Sequence, residues 1–439
     1  MQTSSPPPAP VQAAAVEPVN AQSPSPTPSG RAPLERGLWI VLIAGCLLSM
    51  LSFGTRSSFG LFLTPVSGPE GHGFGREAFA IALAFQNLAW GVGQPIAGAL
   101  SDRFGPWRVL AAGGAVYAAG LALMTQWSSP AGFTLAAGLM VGMGMAGAGH
   151  NTVLAALAQL MPEQRRTWAV GLATAASSLG QLTIVPLGQA FIEAYGWAHA
   201  GLLLACAMAL SPLLALALRG DRVAQAQAQG SATASSMGEA LRQASTHRSY
   251  WLLIAGFFVC GFQLSFITVH LPPYLNDLGI SGRTAAWALG LIGAFNILGS
   301  YLGGVLSATM PRRVILAGIY ALRAVVTTVF LLVPISDASV LMFGAAMGVL
   351  WLSTVPPTAQ LVSCMFGTRY MSTLFGFVFL SHQVGAFAGV WLAARLQALT
   401  GSYDVVWWLS VALAVFAALV HLPIRERLWT PRNQSALAT

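Results

Sequence analysis

Two arginines, Arg56 and Arg323, lie inside long apolar runs that hold no acidic residue. A guanidinium carries five N–H donors in a planar fork that matches a carboxylate with paired hydrogen bonds. Two such groups without acid partners suit a small carboxylate-bearing ligand. Each has a plainer alternative. Arg56 can snorkel to a polar surface, and Arg323 can bond the carbonyls or polar groups of neighbouring helices. His382 and Gln383 form a second polar pair, and His150 and Asn151 a third. An imidazole that faces a cavity can carry a proton, because its pKa lies near working pH. A neutral imidazole bonded between helices is the alternative. Gln263, Asn296 and Trp351 are further polar or aromatic groups at mid-run positions. Gln86, Asn87, Gln94 and Gln181 read as amides that knit helices together. Hydrolytic and metal chemistry have no footing. There is no HExxH, no GxSxG, no paired acids and no filter-like Gly-rich repeat. Cys46, Cys206, Cys260 and Cys364 form no CxxC and read as small buried apolar side chains. No metal, no cofactor and no enzymatic activity are expected.

The elements that position these groups follow from composition. Of 439 residues, 55% are hydrophobic and 8% charged, against about 25% charged in a soluble chain. So few charges cannot cover a water-facing surface, and a mean hydropathy of +0.67 agrees. The chain therefore reads as an all-α polytopic membrane protein. Apolar runs lie near 38–63, 77–99, 107–127, 132–158, 166–190 and 197–218, then near 250–275, 284–307, 313–334, 338–362, 370–396 and 404–423. Each is long enough for a hydrocarbon core of about 30 Å. Pro356 and Pro357 should kink the tenth span. Residues 1–35, rich in Pro, Ala, Ser and Gln, read as a disordered tail with no signal-peptide pattern. Residues 36–218 and 249–424 read as two six-helix bundles. A cytoplasmic linker, 219–248, joins them, and a second tail covers 425–439. The net charge of +8 forms no basic stripe, so nucleic acid is not expected as a partner. All 21 basic residues are arginine. Most fall on one side of the spans, which places both termini in the cytoplasm of a multi-pass inner-membrane protein.

The halves echo each other. GALSDRFGPWRVLAAGG (98–114) joins the second and third spans, and GGVLSATMPRRVILAG (303–318) joins the eighth and ninth. Gly75-Arg76 and Gly282-Arg283 precede corresponding spans. In the first loop, Gly98 allows close helix approach, and Gly105 and Pro106 turn the chain into the third span. Asp102 lies beside Arg103 and Arg108, where a charge pair can latch one conformation. In the second copy Ala308 takes the place of the acid.

GALSDRFGPWR resembles the loop between the second and third helices of the major facilitator superfamily. GLMVGMGMAG (138–147), GLATAASSLGQ (171–181), EAYGWAHAGLLLA (193–205), TGSYDVVWW (400–408) and SFGTRSSFGLFL (52–63) resemble its monocarboxylate transporter and oxalate–formate exchanger branch. The likeness covers about residues 38–425. It implies twelve transmembrane helices in two pseudo-symmetric bundles. It also implies secondary active transport of a small organic anion, such as a monocarboxylate, coupled to protons across the lipid bilayer. An efflux antiporter for amphipathic compounds is the alternative, and an intramembrane enzyme or channel is a distant third. The substrate-binding set is then Arg56, Gln263, Asn296, Trp351, His382 and Gln383, with His382 and His150 for the proton. The latch is Gly98, Asp102, Arg103, Gly105 and Arg108. That branch carries an Asp and an Arg in its eighth helix. The eighth span here has neither, and Asn296 is its strongly polar residue near the middle.

Overall fold

The computed structural model describes residues 36–69, 71–219, 237–366 and 371–426. The tail expected at 1–35, residues 220–236 of the expected linker and most of the tail expected at 425–439 lie outside them. Among the described residues all regular structure is helical. A chain in hydrocarbon must satisfy its backbone groups internally, and helices do so within each segment.

The first span consists of α1 (Arg36–Ser57) and α2 (Phe59–Ser67). The second and third are α3 (Gly75–Phe104) and α4 (Pro106–Met124). The fourth is assembled from α5 (Pro130–Phe133), a π-helical stretch (Thr134–Met140), α6 (Val141–Ala148) and α7 (His150–Leu160). Then come α8 (Glu163–Met208) and α9 (Ser211–Leu216). The expected linker holds a helix of its own, α10 (Met237–Thr246). The remaining spans use α11 (Arg248–Asp277), α12 (Gly282–Thr309), α13 (Arg312–Leu332), α14 (Asp337–Leu350), α15 (Val355–Phe366), α16 (Met371–Thr400) and α17 (Asp404–His421).

Among the described residues, ten helical stretches are long and apolar enough to cross a membrane. The helix α3 is not among them, although its 30 residues give about 45 Å of length. One of the ten, Trp168–Leu216, has 49 residues, about twice what a bilayer needs. It contains Gly196 at φ 79°, ψ 163°, which interrupts the helical path between the fifth and sixth predicted spans. Counting α3 and dividing that stretch at Gly196 gives twelve crossings. Turn chemistry sets other boundaries. Gly105 has φ +85° and hands over to Pro106 at the first position of α4. Ser281 caps α12 by accepting from the Thr284 amide.

Besides the one-residue interruption at Ser58 in the first span, two spans are broken in mid-course. The fourth breaks at Gly149, which is extended (φ −73°, ψ 167°). The tenth breaks over Trp351–Thr354, between α14 and α15. Pro356 and Pro357 were expected to kink a continuous helix, but they sit in the first turn of α15. There their missing amides have no helical partner to lose. Arg323 of α13 holds this break together. Its Nε and Nη2 donate to the Leu350 carbonyl (3.1 and 2.6 Å), and Nη2 also donates to the Trp351 carbonyl (2.5 Å). Nη1 donates to Gln263 Oε1 (3.4 Å) and the Cys260 sulfur (3.5 Å). Arg323 is fully buried. Of the two readings of this residue, the structural one describes its surroundings.

The N-terminal helices (α1–α9) and C-terminal helices (α11–α17) meet along two seams. Between α3 and α16, Glu77 pairs with Arg395 (3.4 Å), Phe85 meets Phe387 and Trp90 meets Phe379. Between α8 and α12, Gln181 Nε2 donates to the Leu289 carbonyl (2.9 Å) and Asn296 Nδ2 to Ser178 Oγ (2.9 Å). At one face of the molecule Arg76 of α3 binds Asp277 of α11 with both ends of its fork (2.5 and 2.6 Å). Just below, Gly60 of α2 lies against the Thr268 carbonyl of α11, where a Cβ has no room. This face is closed.

Two outcomes follow from this packing. Arg323→Leu leaves the Leu350 and Trp351 carbonyls unpaired and should destabilise the protein by roughly 3–5 kcal/mol. The readout is a lower thermal midpoint in detergent; an unchanged midpoint refutes the bracing role. Arg76→Ala should shift the population toward states open at this face by about two- to fivefold, as expected for a partly exposed ion pair. Labelling rates of a cysteine placed below the gate measure that shift, and equal rates would count against it.

Candidate functional site

The site is built around Arg56, one residue before the break between α1 and α2. The local sequence makes that break. Ser57 Oγ turns back to the Phe53 carbonyl (2.9 Å) and Ser58 Oγ to the Gly54 carbonyl (3.0 Å). Such back-bonding competes with the helix ladder and bends it. Gly54 lets α1 approach the Gly180 carbonyl of α8, a built Cβ lying 2.6 Å from that oxygen. Arg56 is thereby turned toward α3. Its Nη2 donates to Asn87 Oδ1 (3.3 Å), and its guanidinium lies 5.1 Å from the centre of the Trp90 ring. Asn87 and Trp90 are three residues apart, hence on one face of α3.

A second layer fixes these partners. Asn87 Nδ2 donates to the Leu83 carbonyl (2.9 Å), leaving Oδ1 for the arginine. Trp90 Nε1 donates to Gln94 Oε1 (3.0 Å), and Gln94 Nε2 donates to Thr152 Oγ1 (3.3 Å) just past the Gly149 break. Gln86 Nε2 donates to the Ala137 carbonyl in the π-helical stretch (2.8 Å).

A small cavity of about 10 Å³, room for about one water molecule, lies beside Arg56, lined also by Gln86, Asn87, Ser265 and Thr268 and by apolar Phe59, Leu83 and Val269. It is shared by α1, α2, α3 and α11, so both halves contribute. Asn87 and Ser265 each lie twelve residues from the closed-face ends of their helices, about 18 Å down. That is near the middle of a bilayer. Among the described residues Arg56 pairs with no carboxylate, and Asn87 accepts its single hydrogen bond. Ser265 Oγ is buried in the cavity wall without a partner. Unused cationic donors and an orphan hydroxyl around one cavity can bind a small oxyanion.

His382 and Gln383 join this site across the α3–α16 seam. Gln383 Nε2 donates to the Asn87 carbonyl (3.3 Å), and its Oε1 lies 2.9 Å from His382 Nδ1. An amide oxygen only accepts, so Nδ1 carries the hydrogen and Nε2 is the basic nitrogen. The imidazole stacks on Phe379, whose ring meets Trp90 at 5.2 Å. Two routes thus connect Arg56 to His382: a polar one through Asn87 and Gln383, and an aromatic one through Trp90 and Phe379.

The other expected residues lie elsewhere. Gln263 is turned into the C-terminal bundle, donating to the Ser410 carbonyl and hydroxyl (3.1 and 3.3 Å) and accepting from Arg323. Arg323 claims its oxygen because a buried guanidinium needs acceptors, so Gln263 does not line the Arg56 cavity. Trp351 is buried at the break in the tenth span. Asn296 is buried between α8 and the same break. His150 opens α7, with Nδ1 3.4 Å from Ser49 Oγ and its ring against Phe53. In the expected latch, Arg108 donates to the Phe104 carbonyl (3.0 Å), and Arg103 lies over the Phe104 ring. Among the described residues no atom of another helix lies within 4 Å of a Cβ built on Gly98, so it makes no close approach to them in this conformation. The Asp102 side chain lies outside the described residues. Ser265 and Trp90 were not singled out from sequence. The three-residue spacing of Ser265 and Thr268 on one face of α11 is the signal that could have marked the first.

The chain resembles known proteins over nearly its whole length. Residues 45–390 match the model of the Major Facilitator Superfamily. Monocarboxylate transporter 13 of Rattus norvegicus is 28% identical over 400 residues, covering 88% of this chain and 89% of that one. The oxalate:formate antiporter of Oxalobacter formigenes is 25% identical over 367 residues, covering 82% and 84%. A crystal structure of a D-xylose–proton symporter shares the fold at a TM-score of 0.66 and 16% identity, covering 89% of this chain and 97% of that one. With ten or more apolar crossings and a family match over most of its length, this chain is a multi-pass membrane protein that belongs to the Major Facilitator Superfamily.

Proposed function

We propose that this protein is a secondary active carrier of a small organic anion, a monocarboxylate in the first instance, and that protons drive it. The observation that carries the reading is the Arg56 guanidinium, half-buried at mid-membrane depth with one hydrogen bond and no carboxylate partner among the described residues. A charge in that position is costly unless a counter-ion visits it. In this conformation the cavity has room for about one water molecule, so a small anion enters it as the halves part. Arg56 offers a fork to a carboxylate, Ser265 Oγ offers a hydroxyl, and Phe59, Leu83 and Val269 accept a short apolar tail. The names of the relatives, a monocarboxylate transporter and an oxalate:formate antiporter, support the same class of cargo.

In this reading residues 36–218 and 249–424 rock about the Arg56 cavity. The face closed by Arg76–Asp277 is the outer one, because most arginines gather at the opposite face. The protein lies in the plasma membrane with both termini in the cytoplasm, and this conformation faces inward. His382 carries the proton. The imidazolium formed when Nε2 takes a proton adds a positive charge to the ring of contacts that holds Arg56. A second cation there raises the affinity for an anion and disfavours the empty protonated state.

Proteoliposomes with an imposed pH gradient test both parts. Labelled lactate or pyruvate should enter saturably. Arg56→Gln should lower uptake by about ten- to hundredfold, the worth of one or two charge-assisted hydrogen bonds. Undiminished uptake by that variant, or no uptake of any organic anion by the wild type, would sink the reading. His382→Gln should abolish stimulation by external acid while leaving anion exchange at equal pH. A variant still stimulated by acid would remove His382 from the proton's path.

A further inference from the structure

The α8–α12 seam and the broken tenth span share one side chain. Asn296 lies at the middle of α12 and is fully buried. Its Nδ2 donates to Ser178 Oγ of the N-terminal half (2.9 Å). Its Oδ1 accepts from the backbone amide of Leu352 (3.0 Å), inside the break between α14 and α15. That amide has left the helix ladder, so Asn296 supplies the acceptor that regular backbone would have supplied. Ser300, one turn on, also donates to Oδ1 (3.3 Å). The same face of α12 continues against the break. Gly299 lies on the Val349 carbonyl, and a Cβ on Gly303 would meet the Ser353 carbonyl at 2.6 Å. On the seam side, Gly293 lies against the Ser178 carbonyl (2.7 Å from a built Cβ) and Gln181 donates to the Leu289 carbonyl. These seam contacts run from the closed face down to Asn296.

We propose that Asn296 is a positioning residue for transport: it ties the movement of α8 against α12 to the bend between α14 and α15, so that one face cannot open until the other has closed. Three features carry this. The side chain makes one bond to each moving part. It stands on the seam at the middle of α12. The break it holds is the point at which the tenth span can change direction, because backbone bonds are already absent there. Arg323 fixes the other side of the same break through the Leu350 and Trp351 carbonyls. α14 is thereby held to α13 and α11. The inference rests on the alternating-access part of the proposed function and not on the cargo.

Pairs of spin labels on the full-length protein in lipid nanodiscs test it without any substrate, with the four native cysteines replaced by alanine. One pair, at Pro69 and Asn276, spans the closed face. The other, at Ala155 in α7 and Ala359 in α15, spans the opposite face. Coupled halves require the fraction open at the first face to equal the fraction closed at the second. The wild type should show that equality. In Asn296→Ala the two fractions should differ by about twofold or more. Ser178→Ala is the milder variant, since it leaves the Leu352 bond intact. It should give the same mismatch, and the double variant no more than Asn296→Ala alone. Equal fractions in Ser178→Ala overturn the proposal, as do mismatches that simply add in the double variant. Failure of anion uptake in liposomes, with these distances behaving as expected, would remove the cargo assignment and leave the coupling role standing.

Discussion

A guanidinium taken into hydrocarbon must place its five N–H groups on acceptors, and the two membrane arginines of this protein meet that demand in opposite ways. Arg323 places every donor on protein: two backbone carbonyls, an amide oxygen and a sulfur. It is complete without a ligand, and the helix break it holds is stable because of it. Arg56 has one protein acceptor and an aromatic face. The difference follows from what surrounds each residue. Arg323 faces a broken helix with carbonyls to spare, whereas Arg56 faces the intact α3 and a small cavity. The same residue type in the same solvent is a brace in one place and keeps unused donors in the other.

The seams are built from bonds that can be given up. Gln181, Asn296 and Gln383 each donate one amide hydrogen to the opposite half. Glycines at 60, 91 and 293 bring the halves close enough for this. Amide hydrogen bonds between membrane helices average about 0.6 kcal/mol each, because the separated helices find other partners. A closed face held by a few such bonds and two ion pairs lies within a few kcal/mol of its open alternative. A carrier needs that near-degeneracy, since a cargo shifts the equilibrium only by its differential affinity for the two states. Large apolar contact across the whole interface would have favoured one state too strongly.

Much of the architecture was legible in the sequence because it depends on local signals. Apolar run length marked the spans to within a few residues, and Gly105-Pro106 marked the start of α4. The sequence also ranked Arg56, His382 and Gln383 as candidates, and they meet through Asn87. What it could not give were directions around each helix axis. Gln263 lies in a helix that contributes to the cavity, yet its side chain points to Arg323. One helical position rotates a side chain by about 100°, and only packing decides which way the helix is turned. The disruption of the tenth span was legible in Pro356 and Pro357, whose missing amides would have bonded the carbonyls of Leu352 and Ser353 inside the break. Its full extent was not, because the Leu350 and Trp351 carbonyls are satisfied by Arg323 from a neighbouring helix.

The two breaks also bear on why an arginine sits in the ninth span at all. Pro106 and Pro311 occupy matching places in the repeated loops, and so do Arg108 and Arg313. The same separation carries Gly149, where the fourth span breaks, onto Thr354, the last residue of the break in the tenth. His150 and Val355 then open corresponding segments, α7 and α15. The repeat has kept the place of the break and changed its chemistry. In the first half a glycine adopts the extended backbone, and a hydroxyl suffices as support: Thr152 Oγ1 donates to the Ala146 carbonyl (2.8 Å). The second half has no glycine within Trp351–Thr354, and at least two carbonyls around its break lack helical partners. Its copy of the third span, α13, supplies Arg323 to satisfy them, where the same separation in the first half leads to Ala118. A costly buried charge is thus accounted for by the conformational freedom the second copy lacks.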